Sequence, residues 1–389
     1  MFTPRARIET KCNFATKHHH KMKSHLPFRK FIVLTAVLFA AVWAYAQQRV
    51  TVTDSSDRTP VIAATVFAQS GNILGITDNN GTLAGISAAD YPLTVRCIGY
   101  EPATCPAGSQ EIALTPATYA LGEVTVTPDD RPVMRMICYI REYSSGATPT
   151  DTIQYFAEHT ADLFIPIPKK VKGLKSKIVF RPLASRHYDR TANSRGVDSV
   201  SCRATARDDI SWFQLVGMPV NDLDETEAIR SGARTDSVMG KHSRRSLMRR
   251  TPQAYTVLND YLSDKKDHRE SPLFFKLLGF TLDLTELSTN TAYRPNDSGH
   301  YGPADILSST MALDILGRGK WIKKAFDSDA PVAMHGYFEI YPMSTEYLTV
   351  DEANELWRNA PTDVTVTPAP QATPLPEATA AMVARAQKH

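Results

Sequence analysis

His335 and Glu339 stand four residues apart in "HGYFE", the nearest the chain comes to a paired metal or proton-transfer site. A zinc peptidase needs two close ligands with a carboxylate beside them. The chain holds no H-E-x-x-H and no H-x-x-E. A strand through "HGYFE" puts both residues on one side of a sheet, which suits a surface pair better than a metal site. His159 in "AEHTAD" and His187 in "RHYD" have acidic neighbours, but no third partner is fixed by spacing. They read as solvated or hydrogen-bonded histidines. No G-x-S-x-G activates a serine. "GRGKW", Gly317 to Trp321, lacks the loop length and the Ser/Thr of a phosphate cradle and reads as a helix-ending turn. The expectation is no catalytic residue, no cofactor and no metal.

Two charged runs and one cysteine pair remain. "NDLDETE", Asn221 to Glu227, clusters four carboxylates that could bind a cation but better suit the first turn of a helix. "KHSRRSLMRR" brings together Lys241, Arg244, Arg245, Arg249 and Arg250. It reads as a solvated loop, or as a patch for anionic headgroups or polyanionic glycans. In "CIGYEPATC", a hairpin centred on Glu101 sets Cys97 opposite Cys105. Directly opposed residues of a non-hydrogen-bonded antiparallel pair lie close enough for a disulfide. So short a loop gives about 2–3 kcal/mol.

The elements that must position these residues divide the chain in three. From 47 to 129 short alternating or β-branched pieces ("RVTVTD", "IAATVFA", "NILGIT", "YPLTVRCIGY", "QEIALTP", "GEVTVTP") recur between turn residues, as in a sandwich of about seven strands. The segment has no Lys to guard its strand edges; Pro60, Pro92 and Pro116 stand in. From 130 to 360 the chain is richer in Arg and Lys and less regular, and we expect an α+β domain. There Ile306, Thr310, Leu313 and Leu316 have helical spacing after Pro303, and Thr349 with Glu352 forms a capping box ahead of "VDEANELWR". From 361 to 389 a Pro, Ala and Thr rich tail has too little apolar area to fold alone and reads as disordered, with a short helix available from Glu377.

The first 46 residues read as an export signal. Lys21, Lys23, Arg29 and Lys30 precede the apolar run Phe31 to Trp43, and "AYA" at Ala44 to Ala46 suits a signal peptidase. Met22 would start a signal of ordinary length, so residues 1–21 read as an over-long start. The whole chain is +3 and this segment alone +7, leaving −4 after cleavage. A mildly acidic exported protein has no global reason to bind nucleic acid.

"GITDNNGTLAGI" marks the module. Asp78 can accept backbone N–H bonds within the turn, and Gly81 takes positive φ without a Cβ penalty. A calcium loop needs a closing Glu about six residues on; none follows Gly81 before Glu101. In order come Pro60, Ala64 and Val66; Thr77, Asp78 and Gly81; Ile98, Gly99 and Tyr100; then Leu121, Glu123, Val124 and Val126. This series over about 80 residues resembles the carboxypeptidase regulatory-like domain, a transthyretin-like β-sandwich common in exported proteins of Bacteroidota. Two departures are "RVTVTD" where the family often has Gly, and Leu83 where it usually has an aromatic. The resemblance implies a scaffold without a reactive centre.

Together these features lead us to expect a non-catalytic protein of the periplasm or outer-membrane surface. It would bind an envelope protein or glycan through its second domain, with peripheral membrane contact available and no nucleic acid. The alternatives are an envelope hydrolase acting on peptide or glycan from a site within 131–360, and an outer-membrane-associated assembly component.

Overall fold

In the N-terminal region seven short strands wrap one apolar core. They are β1 (Gln48–Asp54), β2 (Thr65–Phe67), β3 (Ile73–Ile76), β4 (Thr82–Ile86), β5 (Leu93–Arg96), β6 (Ala103–Cys105) and β7 (Glu111–Leu114). The computed structural model describes residues 48–118, 131–148, 150–167, 171–175, 181–205, 235–239, 245–250, 253–261, 279–296, 301–326 and 328–388. The export segment expected at 1–46 and the acidic run 221–227 lie outside them. The short strands pair as β4-β1-β7 and β3-β2-β5-β6. Alternation decides the inside: Val50 and Val52 of β1 and Leu93 and Val95 of β5 are wholly buried in a shared cluster with Val66, Ile86 and Leu114.

The expected α+β region is instead one ten-stranded antiparallel sheet. Its strands are β8 (Val133–Ala147), β9 (Asp151–Pro166), β10 (Arg181–Asn193), β11 (Asp198–Thr205), β12 (Thr235–Met239), β13 (Arg245–Arg250), β14 (Tyr255–Asp260), β15 (Phe280–Tyr293), β16 (Ile306–Gly319) and β17 (Val332–Leu348). Their order is β11-β10-β9-β8-β17-β16-β15-β14-β13-β12. The 17 residues of β17 span about 55 Å at 3.3 Å per residue. Helices are short: α1 (Lys320–Phe326), α2 (Val350–Arg358) and α3 (Glu377–Ala386). Thr349 caps α2 as its sequence requires: its hydroxyl accepts from the Glu352 N–H at 3.3 Å, and the Glu352 carboxylate accepts from the Thr349 N–H at 2.8 Å.

The helical spacing from Ile306 to Leu316 loses to a second pattern in the same residues. Met311, Leu313 and Ile315 alternate into one face of the sheet, while Thr310, Ala312 and Asp314 are only half-buried. Ladders to β15 and β17 satisfy both edges of β16, so non-local pairing overrides local period. Met134, Met136, Cys138 and Ile140 of β8 join the same face, with Leu163 and Ile165 of β9 and Phe338 and Ile340 of β17.

The opposite face is polar and aromatic, and it is covered. Phe67 packs edge-on against Tyr143 and Tyr337, with ring centroids 5.6 and 5.8 Å apart. The Ser145 hydroxyl accepts from the Ile73 N–H at 2.9 Å, and the Gln154 amide donates to the Ser70 carbonyl at 2.8 Å. The C-terminal residues complete the cover, correcting the expectation of a disordered tail. The Thr160 hydroxyl and the Arg186 guanidinium each donate to the strap, residues 359–376 between α2 and α3, at the carbonyls of Thr365 and Val366. Ala369 is buried beside Tyr139 and Tyr341, and Met382 and Ala386 of α3 are buried with Phe67, Tyr143 and Tyr188. The tail has too little apolar surface for a core of its own; it finds one on the sheet. Residues Gln48–His389 accordingly form one unit.

Candidate functional site

A cavity of about 790 Å³ lies where three distant segments meet. Its walls come from Arg96–Pro102 at the end of β5 and beyond, from Arg294 past β15, from the first residues of β16, from residues between Tyr337 and Thr345 of β17, and from Pro370–Pro374 of the strap. The chain folds this way because β5 ends in a charged residue that the sheet is built to receive. Arg96 pairs with Glu339 of β17 at 2.6 Å, each side chain 3 % exposed. Arg141 of β8 reaches the same carboxylate at 3.4 Å. Both arginines also donate to the strap: Arg96 to the Pro374 carbonyl at 2.5 Å and to the Thr373 hydroxyl, Arg141 to the Thr373 carbonyl. Burial opposes the charge on Arg96, but the Glu339 carboxylate and nearby tyrosine oxygens hold its pKa above the ordinary arginine value. Arg141 also donates to Tyr139 Oη, which donates in turn to Glu158, Arg141's partner across the sheet, so a second carboxylate stands with the second guanidinium.

Arg294, just past β15, also lines the cavity. Its Nε and Nη1 are shut off from solvent and meet no hydrogen-bond acceptor among the described residues. Its own N–H is occupied, donating to the Asp305 carbonyl at 2.7 Å. The lining also includes Ile98, Leu307, Tyr341 and Met343, and the hydroxyl residues Ser308 to Thr310. Cys97 is a further wall residue; burial pushes its thiol up to about 12, away from the nucleophilic thiolate.

The residues singled out in the sequence fall into different places. Asp78 and Gly81 make the β3–β4 turn: Asp78 Oδ1 accepts from the N–H groups of Asn80 and Thr82, both at 2.9 Å, and Gly81 has φ +68°. Cys97 and Cys105 are both free thiols. The expected disulfide fails on register, because Leu93, not Cys97, stands across from Cys105. Of the basic cluster, Lys241 and Arg244 lie outside the described residues; Arg245 and Arg250 lie on β13. Arg249 is turned inward rather than toward an anionic partner. It pairs with the buried Asp54 and, at 3.5 Å, with Asp57, and lies over the Tyr100 ring. Asp54 also accepts from Tyr100 Oη at 2.9 Å. Burial would raise the Asp54 pKa, but the Ser56 hydrogen bonds and Arg249 hold it below the ordinary value.

His335 and Glu339 do share a face of β17, yet they serve different partners: His335 meets Asp314 at 2.7 Å while Glu339 meets Arg96. Beside Asp314, the half-buried Glu286 is pushed up to about 8, by burial first and then by the carboxylates of Asp314 and Asp260. His159 Nδ1 lies 2.8 Å from Ser185 Oγ and its Nε2 lies 3.6 Å from Glu142. His187 Nδ1 lies 2.6 Å from Tyr155 Oη. No group of three or more His, Cys, Asp or Glu suited to a metal ion occurs among the described residues.

The arginine–glutamate cluster escapes a reading by spacing. Arg135 and Arg141 alternate with Met136, Cys138 and Ile140, which normally means a polar face turned to water. What marks it as buried is the cover laid over it, and that comes from distant residues, as far off as Thr373, 232 positions from Arg141.

No family model matches the chain, and no curated protein does. Among solved structures, lipovitellin, from work on its lipid–protein interactions, is similar at 6% identity over 57% of this chain, with a TM-score of 0.27. The chain spans about a quarter of that protein, 26%. An AttH candidate from Nitrosomonas europaea is similar at 10% identity, covering 60% of this chain and 59% of that one, with a TM-score of 0.16. Likeness at this level assigns neither fold nor function.

Proposed function

We propose that this is an exported, non-catalytic binding protein of the cell envelope, in which a carboxypeptidase regulatory-like, transthyretin-like sandwich is fixed to a ten-stranded sheet and the cavity at their seam receives the partner. The observation that carries the reading is that cavity: about 790 Å³, framed by the N-terminal region, the sheet and the strap. Its size falls within the range of ligand pockets, roughly 300–1,000 Å³. The groups lining it favour holding over reacting. Arg96 and Glu339 neutralise each other, and the Cys97 thiol stays protonated. Export rests on the signal-like residues 1–46, and the module on the ordered motif set together with the two small sheets around one core.

Fractionation of producing cells with N-terminal sequencing tests the location. A chain starting at Gln47 in the envelope fraction is expected; an intact chain in the cytosol overturns it. Incubation with muropeptide and peptide libraries tests the rest, and turnover of either overturns the non-catalytic role.

One observation favours a second reading, an envelope hydrolase: Ser185, His159 and Glu142 are in mutual reach, the residue types of a base-activated nucleophile. Ser185 is only 4% exposed and none of the three lines the seam cavity, which places this reading second. Turnover abolished by both S185A and H159Q would promote it. The assembly-component reading, with strands in the outer membrane, calls for an apolar outer belt. The large apolar residues exposed among the described ones are Ile167 and Val197.

A further inference from the structure

We infer that the seam cavity takes an amphiphilic organic anion, whose carboxylate or phosphate group is bound by Arg294 and whose apolar body lies against Ile98, Leu307, Tyr341 and Met343. This rests on the reading of the cavity as a binding site and names the class of its ligand.

Charge is the first argument. The other cations at this seam are already committed: Arg96 and Arg141 share Glu339, and Arg249 faces Asp54 and Asp57. Arg294 has no such carboxylate among the described residues, although its Nε and Nη1 are buried. A guanidinium carries five donors in a planar fork suited to two acceptor oxygens on one atom, as a carboxylate or phosphate offers. Nε and Nη1 lie out of a ligand's reach; Nη2, the nitrogen outside that buried pair, is the donor that a cavity anion meets. The Arg96–Glu339 cluster on the same wall adds no net charge of its own. The carboxylate on the lining outside that cluster is Glu101, which is exposed.

Shape is the second argument. Ile98 and Leu307 belong to a small buried cluster with Ala254 and Ala292, adjoining the place where β15 delivers Arg294. Tyr341 and Met343 line the cavity too and pack in one cluster with Ala372 of the strap. An inorganic anion would satisfy Arg294 but leave these walls wet; a neutral apolar molecule would do the reverse.

Calorimetric titration of the mature protein with decanoate, decyl phosphate and decanol, each below its micellar concentration, tests this. Both anions are expected to bind, and the tighter one identifies the head group. R294M should weaken them at least tenfold, since a charge-assisted hydrogen bond carries roughly that factor or more, while R294K retains part of the affinity. R294M should fold with an unfolding midpoint equal to or above wild type, because it removes a buried donor that has no acceptor. Decanol binding as tightly as decanoate, or R294M retaining full anion affinity, overturns the ligand class and leaves the cavity reading standing. No binding of any of the three overturns both.

Discussion

Arg96 and Glu339 are 243 positions apart in the chain and meet as an ion pair with both side chains about 3% exposed. That contact joins the seven short strands to the ten-stranded sheet, and the strap lies over it. A buried pair adds little net stability over an apolar replacement, but losing one partner strands the other, at about 3–5 kcal/mol. R96M should therefore lower stability by about 3 kcal/mol, the low end because Arg141 still faces Glu339, and R96M/E339L should recover most of it. The exposed Glu355–Arg358 pair is the control: E355A should change stability by less than about 0.5 kcal/mol. Urea unfolding midpoints check all three.

The β3–β4 turn gives a second comparison. Gly81 has φ +68° and a Cβ there would sit 2.5 Å from the Val52 carbonyl oxygen; Gly85 has φ +86° with nothing within 4 Å. G85A should cost only the left-handed backbone penalty, about 1–2 kcal/mol. G81A carries that and a backbone clash, so it should cost more. Equal costs by chemical denaturation would contradict the turn geometry.

Thiol chemistry tests the cysteine assignment. Cys202 is exposed, whereas Cys97, Cys105 and Cys138 are buried. Burial raises all three of those thiols above their ordinary pKa. Ellman's reagent without reductant should find one fast thiol in the folded mature protein and four after unfolding. A Cys97–Cys105 bridge would give two after unfolding.

Glu286 should make stability fall with rising pH. Its folded pKa is pushed up to about 8 against an ordinary 4.5, so the folded state holds more protons between those values. The contribution is whole below pH 4.5 and is lost as pH rises toward 8. E286Q should flatten the midpoint of thermal unfolding across that window; an unchanged slope would count against the buried carboxylate cluster.

The β character of the chain was legible where alternation was clean, as in Val50 to Asp54, and the Thr349–Glu352 box placed α2 correctly. From Ile306 to Leu316 the residues satisfied two periods at once, and only pairing with β15 and β17 decided between them. The tail misled because its partners, Tyr139 and Tyr341 among them, lie on the sheet rather than beside it in sequence. Of the cavity lining, Cys97 and Glu339 stood out in the sequence, though for other reasons, and the Asp78–Gly81 turn lies elsewhere. Arg294 stands in no motif, and its significance comes from the cavity around it.

The central claim is that the seam cavity is where this protein holds its partner, and occupancy in the native source measures that most directly. Native mass spectrometry of the protein purified from the envelope should show a bound small molecule in wild type. T310W, which fills the cavity from the β16 side, should lack it while unfolding normally. A wild-type mass equal to the bare mature chain, or a T310W variant that keeps the same passenger, would contradict the account.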